Sequence, residues 1–246
     1  MPISATTIDD LLIKHHDFLN YLWDWFQSLR TVSLLELTDG GRQPRKLGIL
    51  SEDLIKGFTS VGRLSSPRVA GVLPAVVELF TAAHEMGVHD FVFPYDSHPP
   101  DSPEFDAYGP HCVTGTVETE TVDELTSLPF ADEFIMMPKQ SLNPAIGTDL
   151  EGWLDDRPEI ESIIVVGDCT DLCVYQAAMH LKVRSNAMHR LLQVIVPEDC
   201  VQTYDIGVED AKQIGATPHD GDLMHLIFLY HMMLNDIKIV SHVVQQ

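Results

Sequence analysis

The sequence predicts an α/β protein: a three-layer α/β/α sandwich with a mostly parallel sheet of five or six strands, preceded by an N-terminal helical extension. Three observations carry this expectation. Short apolar or β-branched runs recur from about Lys46 onward, each long enough for one strand. Stretches of helical length separate them, and strands joined through helices run parallel with both faces covered. Finally, chemically capable polar residues follow the ends of four of these runs, where open α/β sheets bind ligands.

The elements follow in order. Residues 7 to 29 read as a helix: Thr7 can cap it, Asp9 and Asp10 load its first turn, and Leu11, Leu12, Phe18, Leu19, Leu22 and Phe26 form an apolar stripe. With Trp23 and Trp25, that stripe must pack on the body or on another subunit. Thr38-Asp39-Gly40-Gly41 is a turn signal. Residues 1–45 are therefore expected to be an extension and residues 46–246 the main domain. Strands are expected at Leu47 to Leu50, Asp90 to Tyr95, Phe134 to Met137, Ile163 to Val166, Leu191 to Val196 and Ile237 to Val240. Helices are expected from Val72 to Met86, stopped by Gly87, from about Asp171, and from His219 to Leu234. There are no repeats and no low-complexity segments.

Composition narrows the function. The 246 residues hold 15 Lys plus Arg against 37 Asp plus Glu, a net charge of −22. A polyanion cannot supply the clustered cations that nucleic acid or anionic membrane surfaces require. No apolar run reaches the roughly 18 residues that span a bilayer, and the N-terminus has neither the basic nor the apolar region of an export signal. A cytoplasmic chain with reduced thiols is expected. Cys112, Cys169, Cys173 and Cys200 include no CxxC pair, so each thiol is judged alone.

Cys173 follows the apolar run Ile163 to Val166 and the turn Gly167-Asp168-Cys169-Thr170. It falls in the first turn of a helix, where free N–H groups and the helix dipole lower a thiol pKa and can hold an oxyanion. Lys139 and Asp53 also follow strands. A lysine steadies a thiolate, and an aspartate can carry its proton to a leaving amine. Taken singly, Cys173 reads equally well as a buried apolar cysteine, while Lys139 reads better as a solvated lysine and Asp53 as a helix cap. The segment Asp96-Ser97-His98-Pro99 sets a carboxylate and an imidazole within reach of one ion, with His111, and Glu104 as a further candidate, to complete a mixed N/O site. Such ligands suit Zn²⁺ first, with Mn²⁺ or Fe²⁺ as alternatives.

Together these segments resemble the isochorismatase-like cysteine hydrolases, and among them the nicotinamidases. Asp53 through Phe58 matches that family's D-x-x-x-x-F; Asp96-Ser97-His98-Pro99 its D-x-H-P; Gly109 through Thr116, with glycine in place of the first proline, its P-x-H-C-x-x-G-T; and Gly167 through Val174 its G-x-x-T-D-x-C-V. The resemblance implies Asp53, Lys139 and Cys173 as catalytic residues. It implies an oxyanion hole from the backbone N–H groups of Cys169 and Cys173, with a cis peptide before Cys169. Phe58 would border the substrate ring, and Asp96, His98, Glu104 and His111 would hold one divalent metal ion that orients the pyridine nitrogen. The implied reaction is hydrolysis of nicotinamide to nicotinate and ammonia through a thioester on Cys173, in NAD salvage, by a homo-oligomer acting on a small carboxamide.

The departures are specific. Glu52 precedes Asp53 where the family has an aliphatic residue, Leu142-Asn143-Pro144-Ala145 replaces an aromatic followed by Ser-Ala-Phe, and Gly109 stands where the family has proline. Two other readings fit these departures: a metal-free hydrolase of another small amide or a vinyl ether, and a catalytically dead binding relative. Intact Asp96, His98 and His111 oppose the first; intact Asp53, Lys139 and Cys173 oppose the second. His84, His89, His180, His189, His225 and His231 receive no role.

Overall fold

The computed structural model describes residues 7–246; residues 1–6 of the expected extension lie outside them. The chain opens with α1 (Ile8–Gln27), β1 (Val32–Ser33) and α2 (Leu34–Leu37). Then come β2 (Leu47–Glu52), α3 (Lys56–Thr59), α4 (Pro67–Ala70), α5 (Leu73–Glu85) and β3 (Asp90–Asp96). The middle holds α6 (Phe105–Tyr108), α7 (Asp123–Thr126), β4 (Ile135–Lys139), α8 (Leu150–Asp155), β5 (Ser162–Asp168) and α9 (Cys173–Ala187). It ends with β6 (Gln193–Pro197), β7 (Val201–Gln202), α10 (Val208–Ile214), α11 (Gly221–Leu234), β8 (Lys238–Val240) and β9 (Val243–Val244).

The main sheet runs in the order β4-β3-β2-β5-β6-β8 and every pairing in it is parallel. The six expected strands form this path. A seventh, the two-residue β7, pairs with the C-terminal end of β5. Alternation along each strand divides the core in two. Leu47, Ile49, Ile164 and Val166 face a cluster with Val76, Phe80 and Ala83 of α5. Leu50, Ile163, Val165 and Val194 face one with Trp153 of α8, Ala177 and Leu181 of α9, and Leu229 of α11. Every residue of β2 and β5 is buried, as expected of central strands covered on both faces. The expected three layers are present.

Thr7 caps α1 by accepting from the Asp10 N–H. The helix buries Leu22 and packs Trp25 and Phe26 against the second cluster, with the Trp25 ring edge-on to Tyr230 at 5.1 Å. Its apolar stripe is wider than that contact, so Ile8, Leu12, Leu19 and Trp23 stay exposed. After α1, Val32, Leu34 and Leu37 join the first cluster, and β1 pairs in parallel with β9 at the C-terminal end. The N-terminal residues thus share the main core.

One histidine left without a role, His225 of α11, is buried and pairs through Nδ1 with the Thr170 hydroxyl at 2.8 Å. Burial, with Arg68 nearby, pushes its imidazole down to about 4, against about 6.5 in an unfolded chain. Between these values only the unfolded chain takes the proton. Stability is therefore level above about pH 6.5, falls as pH drops toward 4, and then levels again. The loss should be about 3 kcal/mol. Urea unfolding of native protein and His225→Gln across that range checks this; parallel pH profiles for the two would refute it.

Candidate active site

An all-parallel sheet puts every strand C-terminus at one edge, and the expected site residues gather there. Asp53 follows β2, Asp96 and Lys139 close β3 and β4, and Cys173 opens α9 after β5. Register does part of the placing: Asp96 and Lys139 are direct neighbours across the β3–β4 ladder. The Lys139 ammonium is fully buried and donates to Asp53 Oδ2 at 2.8 Å, Asp96 Oδ1 at 2.5 Å and Cys173 Sγ at 3.5 Å. The Asp53 backbone, at φ +55°, turns its other oxygen to accept from the Asp96 N–H at 2.8 Å. A non-glycine residue in that region stores strain that its neighbours must hold.

Four carboxyls surround this one lysine. Glu52 lies 4.0 Å from its Nζ with both side-chain oxygens unpartnered, and Asp168 Oδ1 is also unpartnered. Burial pushes both Glu52 and Asp168 far up, and the neighbouring acids add to it. A buried carboxylate without a partner is too costly to stay ionised, so these two are neutral acids. Burial would also push Asp96 up, but Lys139 and the imidazoles of His111 and His98 beside it hold it well below the carboxylate range. Burial opposes the charge on Lys139, yet Asp53, Asp96 and Cys173 hold it well above the ordinary lysine value. Asp53 is pushed up to about 6 by burial and by Asp96, against Lys139. A carboxyl poised there is mostly ionised near neutrality yet basic enough to take a proton.

Helix position alone lowers the Cys173 thiol pKa. The structure reverses that expectation: burial pushes the thiol well up and Asp53, Asp96 and Glu52 add to it, with Lys139 pulling the other way. The resting sulfur is a thiol, and its proton needs an acceptor.

Asp96, His98, Glu104 and His111 converge, with one donor atom from each lying within 4.8 Å of the others. His98 is fully buried and neither ring nitrogen has a hydrogen-bond partner. An orphaned imidazole in such a place needs a ligand to satisfy it. His111 donates from Nδ1 to the Gly109 carbonyl at 2.8 Å, which leaves Nε2 as an acceptor turned toward Asp96. Two imidazoles and two carboxyls fit one divalent ion of borderline softness. Phe58 lies 6.0 Å from the His111 ring. Asp53, Phe58, Glu104, His111, Cys169 and Cys173 all line one cavity of about 750 Å³.

The turn before Cys173 is tightly determined. The Asp168–Cys169 peptide is cis, and Gly167 has φ +111° with room for no side chain: a Cβ there would sit 1.9 Å from the Glu52 carbonyl. The departures also have places. Leu142 reaches the cavity wall, and the Arg63 guanidinium crowds Gly109, where a Cβ would come within 2.1 Å of Nη1. Sequence reasoning missed Asp168, Arg63 and Tyr204. Asp168 ends a strand beside a glycine, a signal that could have found it. Nothing local marks Arg63. Tyr204, which also lines the cavity, stacks on His219 at 3.9 Å, and His219 pairs with Asp171 at 2.8 Å.

The profile of the isochorismatase domain matches residues 48–220. Nicotinamidase 1 of Arabidopsis thaliana is 34% identical over 158 residues, covering 60% of this chain; the match spans 64% of that relative's length. Nicotinamidase PncA from Bacillus subtilis superposes with a TM-score of 0.60 at 24% identity, over 79% of this chain and 99% of that one. N-carbamoylsarcosine amidase from Thermoplasma acidophilum gives 0.57 at 21%, over 79% and 95%. At these identities the two structures speak to the fold.

Proposed function

The chain belongs to the isochorismatase domain family, and from that premise we propose that it is a nicotinamidase, a cysteine hydrolase that converts nicotinamide to nicotinate and ammonia in NAD salvage. The observation that carries the reading is Lys139, buried within hydrogen-bond reach of Asp53, Asp96 and Cys173 at once, beside a His/Asp/Glu donor set in the same cavity. The 34% identity to a plant nicotinamidase supports the substrate.

Asp53 takes the Cys173 proton as the sulfur attacks the carboxamide carbon, and Lys139 supports the negative charge that develops. The backbone N–H groups of Cys169 and Cys173 receive the carbonyl oxygen. Asp53 then returns the proton to the amide nitrogen, the C–N bond breaks and ammonia leaves a thioester on Cys173. Water attacks that thioester, its proton passes to Asp53, and nicotinate departs as Cys173 regains its proton. Asp96, His98, Glu104 and His111 would hold one divalent ion, Zn²⁺ foremost, which when bound orients the ring through its pyridine nitrogen. Phe58 packs against the ring and excludes water. With Glu52 and Asp168 neutral, the carboxylates that face Lys139 are those of Asp53 and Asp96.

Four buried free thiols support a reducing, cytoplasmic setting. No helix among the described residues is long and apolar enough to cross a membrane. The exposed apolar face of α1 supports a homo-oligomer.

Ammonia release from nicotinamide by purified protein, with and without a chelator, tests the proposal. Activity should be present and fall at least about a hundredfold on metal removal. Metal-loaded protein that releases no ammonia would sink the substrate assignment.

A further inference from the structure

Three residues far from the cavity form a second donor set. His84 lies in the last turn of α5, His89 just before β3, and Glu133 two residues before β4. All three are at the N-terminal edge of the sheet. The seven residues of β3 separate them from Asp96, about 20 Å at the usual strand rise.

We propose that His84, His89 and Glu133 form a second divalent-metal site, which takes Zn²⁺ or an ion of similar softness. The two oxygens of Glu133 each meet a different imidazole, His84 Nε2 at 3.2 Å and His89 Nδ1 at 2.7 Å. One donor atom from each residue lies within 4.8 Å of the other two. The ring of His84 is held by stacking on Phe130, with centroids 3.9 Å apart and planes 4° from parallel. The His89 ring stands 85° to it, and each ring turns one nitrogen to the same carboxylate. Hydrogen bonding from His89, then His84, holds the Glu133 carboxyl below its ordinary range, and the anionic form is the one that binds metal.

Two imidazoles and a carboxylate from three separate segments match a zinc-type ligand set with an open position. Half-exposed Glu133 and exposed His89 give the ion access from solvent. Once seated, it would tie the end of α5 to the entries of β3 and β4. The occupied form would be more stable because the unfolded chain holds no such arrangement. Without a metal, the same three residues are a surface ion-pair cluster of little consequence.

The test is calorimetric titration of chelator-stripped protein with Zn²⁺, native beside His89→Ala and Glu133→Gln. His89 is 60% exposed at its side chain, so its removal leaves the fold intact. Native protein should bind one more ion per chain than His89→Ala, and Glu133→Gln should weaken that extra site at least about tenfold. Zn²⁺ should also raise the melting temperature of native protein more than that of either variant. Ammonia release from nicotinamide should be the same in all three. Identical isotherms for native protein and His89→Ala would overturn the site, whatever the titration shows for Asp96, His98, Glu104 and His111.

Discussion

Cys173→Ala protein should release ammonia from nicotinamide at least about 10,000-fold more slowly than native protein, while its fold and metal content stay unchanged. The size of the effect follows from the mechanism. No other sulfur holds its place: Cys112 and Cys200 are buried at other points in the core, and Cys169 Sγ meets Asp168 Oδ2 at 3.7 Å, whereas Cys173 Sγ meets Lys139. Removing one sulfur from a 5% exposed position leaves a small cavity, so stability should fall by only about 1 kcal/mol. Ammonia assays, urea unfolding and metal analysis on the same sample separate the two effects. Residual activity within about tenfold of native would eliminate the thioester route.

Lys139→Ala should be the most damaging single change to the fold. It removes the one buried ammonium that bridges Asp53 and Asp96 and leaves Asp53 without its counter-charge, a loss of about 3–5 kcal/mol. Activity should disappear as well, because the proton on Cys173 loses both its neighbour and its carrier's correct geometry. Adding Asp53→Asn to Lys139→Ala should restore part of the stability and none of the activity, since it removes one orphaned charge together with the base. Urea midpoints for the native, single and double variants give the coupling directly. A Lys139→Ala protein as stable as native would mean that the carboxyls are not ionised around the lysine.

How much of this was legible in the sequence depends on the range of the interaction. The strands of the main sheet were readable because β-branched runs such as Ile163 to Val166 carry their own signal, and their boundaries shifted by only a residue or two. The two-residue strands β1, β7 and β9 were not readable, because a pairing such as Val32 with Val243 is set by packing and leaves no local pattern. At the site, sequence order alone placed Asp53, Asp96, Lys139 and Cys173 at one sheet edge, since parallel topology does that for any residue after a strand. The state of each group was not readable. The thiol of Cys173 moves up rather than down because it is buried and several acids converge on it, and that convergence depends on the β2–β5 and β3–β4 registers. His84 and His89 received no role because they and Glu133 come from three separate segments.

The backbone at Gly109 limits how this pocket can change by descent. The residue holds φ +72°, which a proline ring, fixed at about −65°, cannot adopt. A side chain at 109 would also meet the Arg63 guanidinium, but that is the end of a flexible chain and can move aside. Proline at 109 is therefore closed to this chain as a single step, and shortening Arg63 does not open it: the loop must first be rebuilt around a negative φ. Gly109→Pro should damage the loop that holds His111 and lower the urea midpoint, with Arg63 intact and in an Arg63→Ala background alike. The pocket wall can drift one side chain at a time, while this backbone turn can change only together with the loop around it.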